Sequence, residues 1–148
     1  MYLVLELDEI NPDHIFCQER VKNTVMENSN FIRLVYSNEV CIFNGIFMTF
    51  KLNLTAVEPS FHKFKCLFEV KTQPEIIAKL ALIEKSILNL VKINEKKPVY
   101  RITEQLTNGF LKIFNTVQCS EKNEFILKIY GIWENEVECG LTFKFLTV

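Results

Sequence analysis

A hydrophobic period of two runs through most of this chain. From Phe61 to Lys71, His62, Phe64, Cys66, Phe68 and Val70 fall on one side of an extended backbone, and Phe61, Lys63, Lys65, Leu67, Glu69 and Lys71 on the other. From Glu124 to Trp133, Phe125, Leu127, Ile129, Gly131 and Trp133 share one parity, against Ile126, Lys128, Tyr130 and Ile132. Alternation of this kind belongs to strands with one buried face, and the side holding His62 and the side holding Phe125 and Trp133 are expected to face the core. With 49% apolar residues, thirteen Phe and only four Gly and four Pro, the chain has the side chains for a sizeable core, which excludes disorder, collagen and coiled coil. Its 148 residues suit one domain.

The pattern divides that domain into an N-terminal strand and polar segment (1–30), an antiparallel meander (31–71), a helix (72–93) and C-terminal strands (99–148). In the polar part, Asn11 to Asn30 reads as a short helix or an irregular crossing. Phe31 to Tyr36 and Val40 to Phe43 read as strands, and Asn44-Gly45 as a two-residue hairpin turn leading into Ile46 to Leu54. The helix is signalled by Thr72 and Glu75 at capping-box spacing, by Pro74, and by Ile76, Leu80, Ile83, Ile87 and Leu90 at steps of four and three. Val99 to Leu106 and Phe110 to Val117 around Asn108-Gly109 read as a second hairpin, followed by strands Glu124 to Trp133 and Val137 to Val148. The expected fold is mainly β: a bent or closed antiparallel sheet of about eight strands, barrel-like, with one long helix plugging an end or face.

No apolar run reaches membrane-spanning length, and the start, Met1 to Ile10, is acidic and alternating rather than a signal peptide, so an intracellular protein without a membrane partner is expected. Cys17, Cys41, Cys66, Cys119 and Cys139 are widely spaced and read as free thiols. Asn53-Leu54-Thr55 reads as a polar strand end rather than a glycosylation site. Phosphate-loop, dinucleotide, zinc-protease and nucleophile-elbow motifs are missing, and only His14 and His62 are available to a histidine mechanism. Glu134, Glu136 and Glu138 share a face but are explained by a solvated turn. Neither catalysis, a metal nor a cofactor is expected.

The outward faces carry the functional signal. Net charge is -1, with 17 basic and 18 acidic residues, which excludes a uniformly basic nucleic-acid binder but permits a local basic face. Parity sends Leu111, Ile113 and Val117 inward and Phe110, Lys112, Phe114 and Thr116 outward. In the last strand Leu141, Phe143 and Phe145 go inward, leaving Thr142, Lys144 and Leu146 outside. If these strands are neighbours, one surface gathers Phe110, Phe114 and Tyr130 with Lys112, Lys128 and Lys144, extended by Lys63, Lys65, Lys96, Lys97 and Arg101. Aromatic rings that stack on bases, interleaved with lysines that follow phosphates, suit single-stranded nucleic acid. The alternative is that the helix or the N-terminal segment covers this face, making the rings a second layer of core with snorkelling lysines. A bulge at Gly131 or Gly140 would reverse the parity beyond it.

The runs Val21 to Ser37, Phe43 to Ile46, Phe125 to Glu134 and Cys139 to Phe145 resemble a group of uncharacterised proteins of nucleocytoplasmic large DNA viruses. More distantly, a meander, one helix and a C-terminal hairpin closed by Gly140-Leu141-Thr142-Phe143-Lys144 is similar to viral and phage single-stranded DNA-binding proteins built on an OB-fold barrel. In that fold a helix sits between the third and fourth barrel strands, where Pro74 to Ile93 falls. The resemblance implies single-stranded DNA as partner, a role in viral DNA replication or repair, and a place in host cytoplasm, nucleus or virion interior. The acidic partner-recruiting tail of the phage proteins has no counterpart in Phe145-Leu146-Thr147-Val148. The competing expectation is a viral structural or host-interaction protein that binds itself or other viral proteins.

Overall fold

The computed structural model describes residues 4–24, 28–40, 42–90, 96–113 and 124–147. Eleven strands form one mixed sheet: β1 Leu5–Glu6, β2 Ile15–Lys22, β3 Asn30–Ser37, β4 Ile42–Asn44, β5 Ile46–Lys51, β6 Leu54–Ser60, β7 Lys63–Phe68, β8 Lys97–Val99, β9 Phe110–Ile113, β10 Glu124–Glu134 and β11 Glu138–Thr147. Two α-helices accompany them, α1 Pro74–Leu90 and α2 Arg101–Thr107. The main path through the sheet runs β1-β5-β10-β11-β9-β7-β6, with β2, β3, β4 and β8 branching from it. β10 is the hub: β11 lies along one edge, while β3 and then β5 share the other, β3 pairing with residues 131–134 and β5 with 124–129.

The inward parity of these strands builds the core. Ile32, Leu34, Met48, Phe50, Cys66, Phe68, Leu111, Ile113, Phe125, Leu127, Ile129, Leu141 and Phe145 are buried together with Leu80 and Ile87 of α1 and Ile102 and Leu106 of α2. The alternation in the sequence is the image of this one-sided burial. Strand β5 passes into β6 through Leu52 and Asn53 alone, although the two lie far apart on the strand path, so the sheet is strongly bent. Gln73, just before α1, braces that corner: its amide oxygen accepts from the Asn53 N–H at 2.6 Å and its amide nitrogen donates to the Asn53 carbonyl at 3.2 Å.

Several expectations are corrected. Among the described residues the sheet has eleven strands rather than about eight, its path is open rather than closed, and β1/β5, β8/β11 and β9/β11 pair in parallel. Asn44-Gly45 makes no hairpin: β4 pairs with β3 and β5 with β10, so the turn hands the chain from one neighbour to the next. The segment expected as a strand from Val99 to Leu106 is mostly α2. Asn108-Gly109, with Gly109 at φ +79, ends that helix, because a positive φ serves a helix terminus as well as a tight hairpin. A real two-residue hairpin, Phe61-His62, joins β6 to β7, so His62 is exposed at a turn instead of in the core. Asn11 to Asn30 contains strand β2, whose residues after Ile15 are all exposed, so no burial imposes an alternating pattern. On α1 the buried face is Ile77, Leu80, Glu84, Ile87 and Leu88, with Ile76 and Ile83 partly covered and Leu90 exposed. The expected strand end at Val117, like Phe114 and Thr116, lies outside the described residues, as do Cys41 and Cys119. Cys66 and Cys139 are buried free thiols and Cys17 is an exposed one. Burial and then the Glu134 carboxylate push the Cys139 thiol above its ordinary range, with Lys96 pulling the other way.

One buried charge joins the helices. Glu84 is fully buried on α1, and its carboxylate accepts from the Ile102 N–H at 2.9 Å, the Thr103 N–H at 2.9 Å and the Thr103 hydroxyl at 2.7 Å. These are the orphan donors of the first turn of α2, whose own N-cap residue, Tyr100, supplies no side-chain cap. Glu84→Ala should therefore cost about 3 kcal/mol, since two N–H groups and a hydroxyl lose a charged acceptor, and Glu84→Gln roughly half of that. Urea denaturation followed by circular dichroism measures both.

Candidate nucleic-acid interface

The face of the sheet opposite the core holds the predicted residues. Cys66 pairs with Leu111 and Lys65 with Lys112 across β7 and β9, so the two lysines share the outer face. β9 meets β11 in parallel at Ile113 and Phe145, both core residues, and one step back in that register Lys112 neighbours Lys144. Lys144 is paired directly with Lys128 of β10, and Lys128 with Phe47 of β5. Lys65, Lys112, Lys144 and Lys128 thus form one rung across four adjacent strands, about 14 Å long at the ordinary strand spacing.

Rings sit among these charges. The Phe110 ring takes the ammonium of Lys65 at 4.5 Å and that of Lys112 at 5.8 Å from its centroid. Tyr130 takes Lys128 at 4.4 Å and Lys144 at 5.9 Å, and Lys128 also lies 4.8 Å from Phe47. Cation–π contact of about 0.5–1 kcal/mol offsets part of the repulsion between like charges on neighbouring strands. Lys63 has the same parity as Lys65, two residues nearer the β6–β7 hairpin. Phe114 lies outside the described residues. Of the expected set, the structure brings together Lys65, Phe110, Lys112, Lys128, Tyr130 and Lys144. Phe110 and Tyr130 are half-buried, so the helices do not cover them: α1 and α2 pack into the opposite, core face.

A bulge completes the site and reverses one assignment. The β10/β11 register slips between Ile129 and Gly131, so Tyr130 and Gly131 follow one another before the alternation resumes. Ile132, expected outside, is therefore buried in the core, and Trp133, expected inside, turns to the outer face. Its indole lies across Gly140 on β11, where an added Cβ would come within 2.8 Å of the ring, and Arg101 at the start of α2 covers it with its guanidinium 4.9 Å from the ring. Phe31 of β3, opposite Trp133, lies over Gly131 in the same way, with a Cβ there 2.6 Å from its ring. Gly140 leaves room for the indole, and Gly131 for the Ile32 carbonyl of β3 and the edge of the Phe31 ring. Trp133 is only 5% exposed, and its Nε1–H has no acceptor among the described residues.

Between these rings lies a cavity of about 590 Å³ lined by Val21, Lys22, Asn23, Thr24, Phe31, Tyr130, Trp133, Thr142 and Lys144. Sequence parity missed Trp133, Phe31 and Phe47, while Arg101 was expected only as an extension of the charge. The signal for Trp133 was the pair of glycines, Gly131 and Gly140, that a bulge and a flat-lying ring require. The acidic group at the end of β10 is also not a simple solvated turn: Glu134 is buried, with Arg20 Nε at 2.7 Å and the Asn30 amide at 3.3 Å on one carboxylate oxygen. Among the described residues no three His, Cys, Asp or Glu side chains are grouped to hold a metal, and no helix is long and apolar enough to cross a membrane.

Compared with models of known protein families, with curated proteins and with solved structures, the chain matches none.

Gly140→Ala should displace the indole, lower stability by about 1–3 kcal/mol, and move the emission of Trp133, the chain's one tryptophan, to longer wavelength. Fluorescence spectra and a denaturant titration of the variant check both effects.

Proposed function

We propose that the outer face of the sheet binds single-stranded DNA without sequence preference and without catalysis, as a component of viral DNA replication or repair. The lysine rung is the observation that carries this reading. Four lysines on adjacent strands of one face set out a line of positive charge along which the phosphates of a polyanion can lie. In the free protein the ammonium groups rest on Phe110, Phe47 and Tyr130. Phosphates draw them outward, and the uncovered ring faces are then open to bases, whose stacking contributes about 1–3 kcal/mol each. The OB-like reading of the fold belongs to the same proposal: the bend at Leu52 and Asn53 brings β5 and β6 together at one corner, as in a partly open barrel.

Anisotropy of a labelled oligo-dT across a salt series tests it. Four phosphate contacts give a slope of log affinity against log salt of about -3, and absence of saturable, salt-sensitive binding at low ionic strength contradicts the proposal. Lys112→Gln separates function from fold. It should flatten that slope by about 0.7 while leaving stability unchanged or raising it by a few tenths of a kcal/mol, as relief of like-charge repulsion requires.

A second reading rests on a different edge. β2 pairs only with β3 among the described residues and exposes Phe16 at 53% and Val21 at 55%, while Ile42 on β4 is 76% exposed. Such an edge suits pairing with a protein. Sedimentation showing a stable oligomer, together with no affinity for oligo-dT, would favour it.

A further inference from the structure

Resting on the single-strand reading above, we infer that the cavity between Phe31, Tyr130 and Trp133 is a pocket for one unstacked nucleobase, set at the end of the lysine rung that holds the phosphates. Its volume of about 590 Å³ lies within the range of small-molecule sites. Three of its walls are aromatic, and the missing side chains of Gly131 and Gly140 let Phe31 and Trp133 close onto the sheet. Its remaining lining is one aliphatic side chain, Val21, and five polar or cationic ones: Asn23, Thr24 and Thr142, with Lys22 and Lys144. An aliphatic guest would bury those groups against hydrocarbon. A planar heterocycle with donors and acceptors on its edge, attached to an anionic backbone, satisfies both kinds of wall.

Position ties the pocket to the rung. Lys144 belongs to both, and Tyr130 presents one lysine-contacted ring to both. A strand laid along Lys65, Lys112 and Lys144 reaches the cavity at its Lys144 end, where the next base can turn in toward Trp133. A paired base cannot do so without leaving its duplex, so the pocket selects single strands. Gly140 and Arg101 lie against the indole, so a guest meets Trp133 at the edge it presents to the cavity, beside Tyr130 and Thr142.

The intrinsic emission of the single tryptophan reads occupancy without any substitution. Oligo-dT and an abasic oligonucleotide of equal length and charge are titrated into the intact protein at low salt, with anisotropy and Trp133 emission recorded in parallel. The expected result is that both bind, the abasic strand 5- to 150-fold more weakly, and that oligo-dT alone changes the emission. Binding of oligo-dT with unchanged emission, or an equal change with the abasic strand, overturns the pocket and leaves the lysine rung standing. Failure of both strands to bind overturns the pocket and the lysine rung together.

Discussion

Strand β10 is hydrogen-bonded along both edges, and the single residue by which its register slips at Tyr130 decides what the outer face of the sheet contains. Before the slip its outward residues are Ile126, Lys128 and Tyr130. After it, the alternation is inverted, so Ile132 fills the core and Trp133 joins Tyr130 outside. A bulge in a strand with free edges could be absorbed by sliding. Here β3 and β5 hold one edge and β11 the other, so the inversion is locked. The aromatic group of Phe31, Tyr130 and Trp133 follows from it, as does the need for Gly131 and Gly140 beneath two of those rings.

The interior and the outer face are mechanically joined. Glu84 of α1 holds the first turn of α2, and the first residue of that helix is Arg101, whose guanidinium covers the Trp133 indole. A carboxylate buried in the core thus positions a cation on the far side of the sheet. On the face it serves, Lys65, Lys112, Lys144 and Lys128 stand side by side, with Phe110, Phe47 and Tyr130 against their ammonium groups. Glu58, opposite Lys65 at the edge, is where the rung meets an acid.

What the sequence made legible tracks one-sided burial. Where a strand has core on one face and solvent on the other, as in Lys63–Phe68, Phe110–Ile113, Glu138–Thr147 and the first part of Glu124–Glu134, parity gave the side that each residue takes, and six of the eight expected residues lie together on the outer face. Lys63 shares the parity but stands off the rung, and Phe114 lies outside the described residues. Parity failed where burial does not alternate: β2 is exposed on both faces, and Ile132 and Trp133 lie beyond a register slip. Turn chemistry was ambiguous for a different reason. Asn-Gly supplies positive φ, which a hairpin and a helix terminus use alike, so α2 was hidden behind a hairpin signal while the true hairpin at Phe61-His62 carried no glycine. The contact between Glu84 and α2 joins residues 18 positions apart and leaves no local pattern at all.

The most direct measurement is a map of amide chemical-shift changes in isotope-labelled protein as oligo-dT is added at low salt. The expected changes centre on Phe110 to Lys112, Lys128 to Trp133 and Thr142 to Lys144, on neighbouring strands of one face. Changes centred instead on the free edge of β2 or the exposed side of α1, or none at saturating oligonucleotide, would contradict the assignment of that face.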